Sequence, residues 1–210
     1  MNRWFDRLPI IGSIIPGKIV LSFLMLLFAV FTQAFFKNFE SSLCIVAMGF
    51  SFLGDVALNH KKDHSKQTKN DLIIGGIAFV LAHMFYCATY FQKIQAKGYQ
   101  LWNFGACVAL AILGFITVAM LITRSTTMNS NLYILGLAYL WLTGVNYTTI
   151  FSYAYSVKSI ESLVALGGLM FLASDVIIGL EKFSGLKSGL ARELVWWLYP
   201  IGQIIIIAIA

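Results

Sequence analysis

Seven stretches of this chain are apolar over about 17 to 25 residues each, which is the length an α-helix needs to cross a ~30 Å hydrocarbon core. They run at about 18 to 36, 43 to 59, 71 to 92, 101 to 123, 131 to 155, 160 to 181 and 192 to 210. The expected fold class is therefore all-α membrane, with seven transmembrane helices in one polytopic domain over residues 18–210. Ahead of it the apolar Trp4 to Ile15 stretch is broken by Pro9 and Gly12 and followed by Pro16 and Gly17. Residues 1–17 then form an interfacial segment, or at most an eighth, partial span. Composition agrees, because 59% of residues are hydrophobic and 11% charged, against roughly a quarter charged in soluble domains.

A net charge of +6 raises nucleic acid as a partner, but the basic residues lie in the connections and form no aromatic-studded patch. No nucleic-acid partner is expected. Membrane topology accounts for the charge. One set of connections holds Arg3, Arg7, Lys18, Lys61, Lys62, Lys66, Lys69, Arg124, Lys182, Lys187 and Arg192, and the other only Lys37, Lys93, Lys97 and Lys158. The positive-inside bias places the amino terminus in the cytoplasm of a multi-pass cell-membrane protein. Cys44, Cys87 and Cys107 show no Cys-x-x-Cys spacing and read as packing residues in apolar runs.

Two acids interrupt the spans: Asp55 in Phe50-Ser-Phe-Leu-Gly-Asp-Val-Ala-Leu58 and Asp175 in Met170-Phe-Leu-Ala-Ser-Asp-Val-Ile-Ile178. A charge near the bilayer centre costs ~2.5 kcal/mol or more even on lenient insertion scales, so an intramembrane acid points to function. Both lie ~6 to 9 Å from the cytoplasmic ends of inward-running helices, while His83 and Gln203 sit near mid-membrane on outward-running ones. A shift of 120 residues carries Asp55 onto Asp175, Val56 onto Val176, Ala82 onto Gly202 and His83 onto Gln203. That register predicts a parallel three-plus-one-plus-three internal repeat, with the fourth helix as a lipid-facing connector.

Helical spacing groups the polar side chains. Ser51, Asp55 and Asn59 share a face of the second helix, and His83, Tyr86 and Tyr90 one of the third. The fifth contributes Tyr139, Thr143, Asn146 and Tyr147; the seventh contributes Trp196, Tyr199 and Gln203. Gly168 and Gly179 leave room beside Asp175 for a helix or a lipid chain. For Thr143, Asn146 and Gln203 taken singly, bridging between helices is the simpler role.

Ser51-Phe-Leu-Gly-Asp55, the stretch from Gly75-Gly76 to His83-Met-Phe-Tyr86, Leu166-Gly-Gly-Leu-Met-Phe-Leu-Ala-Ser-Asp175 and Tyr199-Pro-Ile-Gly-Gln203-Ile-Ile closely resemble, in the same order, the motifs of the lysoplasmalogenase-like YhhN family of integral membrane proteins. The resemblance runs from about Lys18 to the end. It implies hydrolysis of the vinyl ether bond of a lysophospholipid, giving a fatty aldehyde and a glycerophosphoethanolamine or glycerophosphocholine, without a cofactor. Family members commonly have eight spans, one of them ahead of the region matching Lys18.

That reaction needs an acid to protonate the outer alkene carbon and a base to activate water, by analogy with the two carboxyls of a glycosidase. Asp55 and Asp175 are the expected pair. His83 is the candidate to orient water or a carboxylate, with Ser51, Tyr86, Asn146, Tyr199 and Gln203 as substrate-binding groups. The lipid chain would lie among apolar side chains, with its phosphate near Lys61, Lys62, Arg124 or Arg192, cations that topology already explains. A metal centre is not expected, since His83 is the only histidine within a span and His60 and His64 stand in a lysine-rich connection. Gly-x-Ser-x-Gly and phosphate-binding glycine loops are absent. The rival readings are a proton-coupled transporter or channel, for which paired intramembrane acids also serve, and a non-catalytic bundle.

Overall fold

The computed structural model describes residues 17–36, 39–59, 68–122, 130–183 and 189–210. Among them the regular elements are all helical: α1 Gly17–Phe36, α2 Phe39–Asn59, α3 Lys69–Ala96, α4 Phe104–Ile122, α5 Ser130–Ser156, a short 3-10 helix Ile160–Leu163, α6 Val164–Phe183 and α7 Gly189–Ile209. Of the seven α-helices, all but α5 are long and apolar enough to cross a membrane. The 27 residues of α5 suffice in length, but its Tyr, Thr, Asn and Ser content lowers its hydropathy. The interfacial segment expected before Gly17, together with His60, His64, Lys61, Lys62 and Arg124, falls outside the described residues.

Local chemistry sets the ends. Thr68 and Asp71 form a reciprocal cap at the start of α3: the Thr68 N–H donates to Asp71 Oδ2 at 2.8 Å and the Asp71 N–H to Thr68 Oγ1 at 3.2 Å. At its other end Gly98 adopts φ +66°, the Tyr99 N–H reaches the Ile94 carbonyl at 2.9 Å and the Gly98 N–H that of Gln95 at 3.0 Å. This left-handed cap needs glycine. The expected start of the fourth helix at 101 moves to Phe104 because Asn103 caps it. Its Oδ1 accepts from the Ala106 N–H at 3.1 Å, and its amide donates to the Ser152 carbonyl and to the Ser152 and Ser156 hydroxyls at 2.9 to 3.0 Å.

The chain divides into two compact units, one up to Phe85 and one from Tyr86 onward, so the boundary falls inside α3. A three-plus-one-plus-three repeat would divide it around the fourth helix, and the predicted repeat has no counterpart in this division. In the first unit α1 packs along α2, with Phe23 against Phe52 and Phe50 stacked on Phe85 at 5.6 Å. A Cβ on Gly54 would meet the Phe79 ring at 2.7 Å, and one on Gly75 would meet Leu58 at 2.6 Å. These pairs set α2 and α3 antiparallel.

In the second unit α4 packs on α5, α5 on α6 and α6 on α7. Two of these seams bring backbones together. A Cβ on Gly105 would lie 2.3 Å from the Phe151 carbonyl oxygen, and one on Gly202 would lie 2.8 Å from the Gly167 carbonyl oxygen and 2.9 Å from the Phe171 nitrogen. Small residues that let backbones approach are the usual means of packing helices in lipid. Gly168 is filled by Ile150 of α5 at 2.9 Å, so a helix rather than a lipid chain takes that space. The outer face of α4 is wholly apolar, with Phe115 76% and Ile122 78% exposed. Such surface suits contact with lipid.

Hydroxyls inside the helices bond to the preceding turn: Thr143 donates to the Leu140 carbonyl, Thr148 to that of Gly144 and Thr149 to that of Asn146, at 2.8 to 3.1 Å. Thr143 thus serves its own helix and not a neighbour. Terminal carbonyls are covered too. Tyr133 donates to the Met120 carbonyl at 2.6 Å, Tyr90 to that of Ile206 at 2.7 Å, and Lys93 to that of Ile209. The lysine sits favourably at the negative end of the α7 dipole. Of the cysteines, Cys44 is buried, Cys87 half-buried and Cys107 exposed, so packing accounts for the first and not for the last.

Lys97 bonds the Glu161 carboxylate at 2.8 Å and the Tyr153 hydroxyl at 3.1 Å, and Tyr153 also donates to Glu161. The Glu161 bond is the main cause holding the Lys97 ammonium above the ordinary lysine range, with burial opposing and Tyr153 assisting. Both charged side chains are more than a third exposed, at 39% and 36%, so the pair contributes only about 0.2–1 kcal/mol. A raised lysine pKa stabilises the fold at every pH below the unfolded value and is lost only as pH climbs through the folded value. Lys97→Met should therefore lower the unfolding midpoint slightly and equally between pH 6 and pH 8, as a thermal melt in detergent would register.

Candidate active-site residues

Asp55 lies in α2 immediately after Gly54, against which the Phe79 ring of α3 packs. It is only 5% exposed. The Ser22 hydroxyl of α1 donates to Asp55 Oδ2, and Asn59 donates its amide to the Asp55 backbone carbonyl at 2.9 Å. Ser22 was not among the residues expected here. A hydroxyl set in the apolar run Ile19-Val-Leu-Ser-Phe-Leu-Met-Leu-Leu27 was the available signal. Ser51 and His83 are also buried in this unit. The contacts Gly54 with Phe79, Leu58 with Gly75 and Phe50 with Phe85 place His83 level with Ser51, and Asp55 level with Ala78, one turn further along. His83 and Asp55 therefore occupy successive turns of one seam.

Asp175 lies in α6 of the second unit and is half-buried. The Tyr147 hydroxyl of α5 donates to its Oδ2 at 2.7 Å. One turn earlier on α6, Phe171 is fully buried and receives three tyrosine rings: Tyr86 and Tyr147 at 6.4 Å and nearly perpendicular, and Tyr199 at 5.6 Å and 70°. Edge-to-face pairs of this kind are favourable beyond their burial. Tyr86 donates to Gln203 Oε1. Its successors Tyr90 and Lys93 reach Ile206 and Ile209 in the same register, so the second half of α3 runs parallel to α7, as alternating spans require.

Of the residues expected together, Tyr86 and Gln203 are joined directly, and Tyr199 is one ring away from Tyr86 through Phe171. Gly202, the residue before Gln203, lies against Gly167 and Phe171 of α6, which stand two turns and one turn before Asp175. Asn146 is buried beside Tyr147 on α5. Phe171, like Ser22, was not expected from the sequence, because a phenylalanine among Leu, Met and Ala carries no mark of a special role. Among the described residues no three His, Cys, Asp or Glu side chains gather closely enough to hold a metal ion.

Long apolar helices, outward-facing large apolar side chains and acids set within the spans define a polytopic α-helical membrane protein with intramembrane polar clusters. The YhhN family model matches residues 16–210, and the chain belongs to the YhhN family. No curated protein and no solved structure matches it significantly.

Proposed function

We propose that this protein is a lysoplasmalogenase-type hydrolase that cleaves the vinyl ether bond of a lysophospholipid, with Asp55 and Asp175 as its acid/base pair. Family membership over residues 16–210 supports the reaction class. The observation that carries the residue assignment is that each aspartate, inside an apolar helix, accepts a hydrogen bond from a hydroxyl on a neighbouring helix, Ser22 or Tyr147. Hydroxyl donors suit a carboxyl group that has to exchange a proton, since they serve either protonation state.

In the proposed reaction one carboxylic acid gives its proton to the outer alkene carbon, and the oxygen lone pair forms the oxocarbenium ion. The second carboxylate takes a proton from water as that water adds to the cationic carbon. As the hemiacetal collapses to the fatty aldehyde, the first carboxylate takes the proton of its hydroxyl and the second carboxylic acid protonates the departing glycerol oxygen, so one water is consumed and both carboxyls return to their starting states. His83 orients the water or a carboxyl group, the lipid enters laterally from the cytoplasmic leaflet, and the amino terminus faces the cytoplasm.

The transporter reading rests on the paired intramembrane acids, while the spans contain a single proline, Pro200, which removes the hydrogen bond to the Trp196 carbonyl. Helix α7 nonetheless continues from Gly189 to Ile209, whereas midplane transport sites use interrupted helices. Purified protein in nanodiscs, given a lysoplasmalogen, is expected to release fatty aldehyde and a glycerophospho-alcohol in equal amounts. Solute or proton flux in liposomes with no aldehyde would replace this proposal by the transporter.

A further inference from the structure

We infer that Tyr147 is a positioning residue for Asp175, fixing the direction from which that carboxyl group meets its substrate; this deepens, and rests on, the hydrolase reading above. The phenol donates to Asp175 Oδ2 at 2.7 Å. Tyr147 is 2% exposed while Asp175 is half-buried, so water or a lipid chain reaches the acid and not the tyrosine behind it.

The tyrosine is in turn held on its other side. Its ring stands at 88° to that of Phe171, and Phe171 has little freedom because Tyr86 and Tyr199 flank it and Gly202 of α7 lies against its backbone. A carboxyl group at the end of a short side chain rotates easily about its last bond. A buried phenol in one place removes that rotation, because an O–H···O bond of 2.7 Å is at its preferred length and is directional. Misplacing a reacting group by ~1 Å costs up to ~10²-fold in rate, which gives the tyrosine an effect on turnover without contact with the substrate.

Tyr147→Phe removes only the hydroxyl and keeps the ring contacts with Phe171. The expected result is a kcat lower by about ten- to a hundredfold with KM within about twofold, because the defect lies in the transition state and not in lipid binding. A structural role alone would lower the unfolding midpoint and leave kcat unchanged in the folded fraction. Infrared difference spectra supply a readout independent of activity: Asp175→Asn identifies the Asp175 carboxyl band, and Tyr147→Phe should shift it. A band that stays in place, or an unchanged kcat in an active wild type, overturns the inference while leaving the hydrolase reading intact. A wild-type protein that releases no aldehyde overturns the hydrolase reading, and the role of Tyr147 in catalysis with it.

Discussion

Asp175→Asn and Asp55→Asn should each reduce aldehyde release by about 10²–10⁴-fold, the span associated with loss of a general acid or base. Asparagine keeps the shape of the side chain and still accepts the Tyr147 or Ser22 hydrogen bond through its carbonyl oxygen, so the helix seams survive. What disappears is a group able to give and regain a proton. Two carboxyls acting on one bond behave as a unit, and the double variant should be little worse than either single one. The measurement is kcat on a lysoplasmalogen beside a thermal melt of the same preparation. Full turnover in either folded single variant would remove that aspartate from the mechanism.

Gly202→Ala should cost about 1–3 kcal/mol of stability from overpacking, set against roughly 1 kcal/mol gained in helix propensity. Overpacking wins because the atoms in the way are backbone: the Gly167 carbonyl oxygen at 2.8 Å, and the Phe171 nitrogen and Cα at 2.9 and 3.3 Å. None of these yields by rotating a side chain. The helices must separate, which also displaces Phe171, the ring on which Tyr147 and Tyr199 rest. Gly114→Ala is the matched comparison, since nothing lies within 4 Å of its added carbon. It should melt at or above the wild-type temperature. Equal melting temperatures for the two variants would show that the α6–α7 seam is looser than its geometry.

Sequence sufficed for the class of fold because lipid imposes a simple rule: apolar runs of spanning length become helices; hydropathy left their ends a few residues out, since caps at Thr68, Asn103 and Gly98 set them. It also singled out Asp55 and Asp175, since acids are costly in such runs and stand out by their rarity. The places of His83 and Gln203 along single helices were legible, but which side chains meet them was not. That Ser22 bonds Asp55, that Tyr147 bonds Asp175, and that Phe171 gathers three tyrosines all depend on the rotation and register of one helix against another. Helical periodicity defines a face; the neighbour it meets is chosen by tertiary packing, here by glycines at Gly54, Gly167 and Gly202 that let particular turns approach. The polar helix α5 shows the same division. Its composition made it a weak membrane span, and its hydrogen bonds, local from Thr148 to the Gly144 carbonyl and tertiary from Tyr147 to Asp175, show how a helix rich in hydroxyls is accommodated in an apolar bundle.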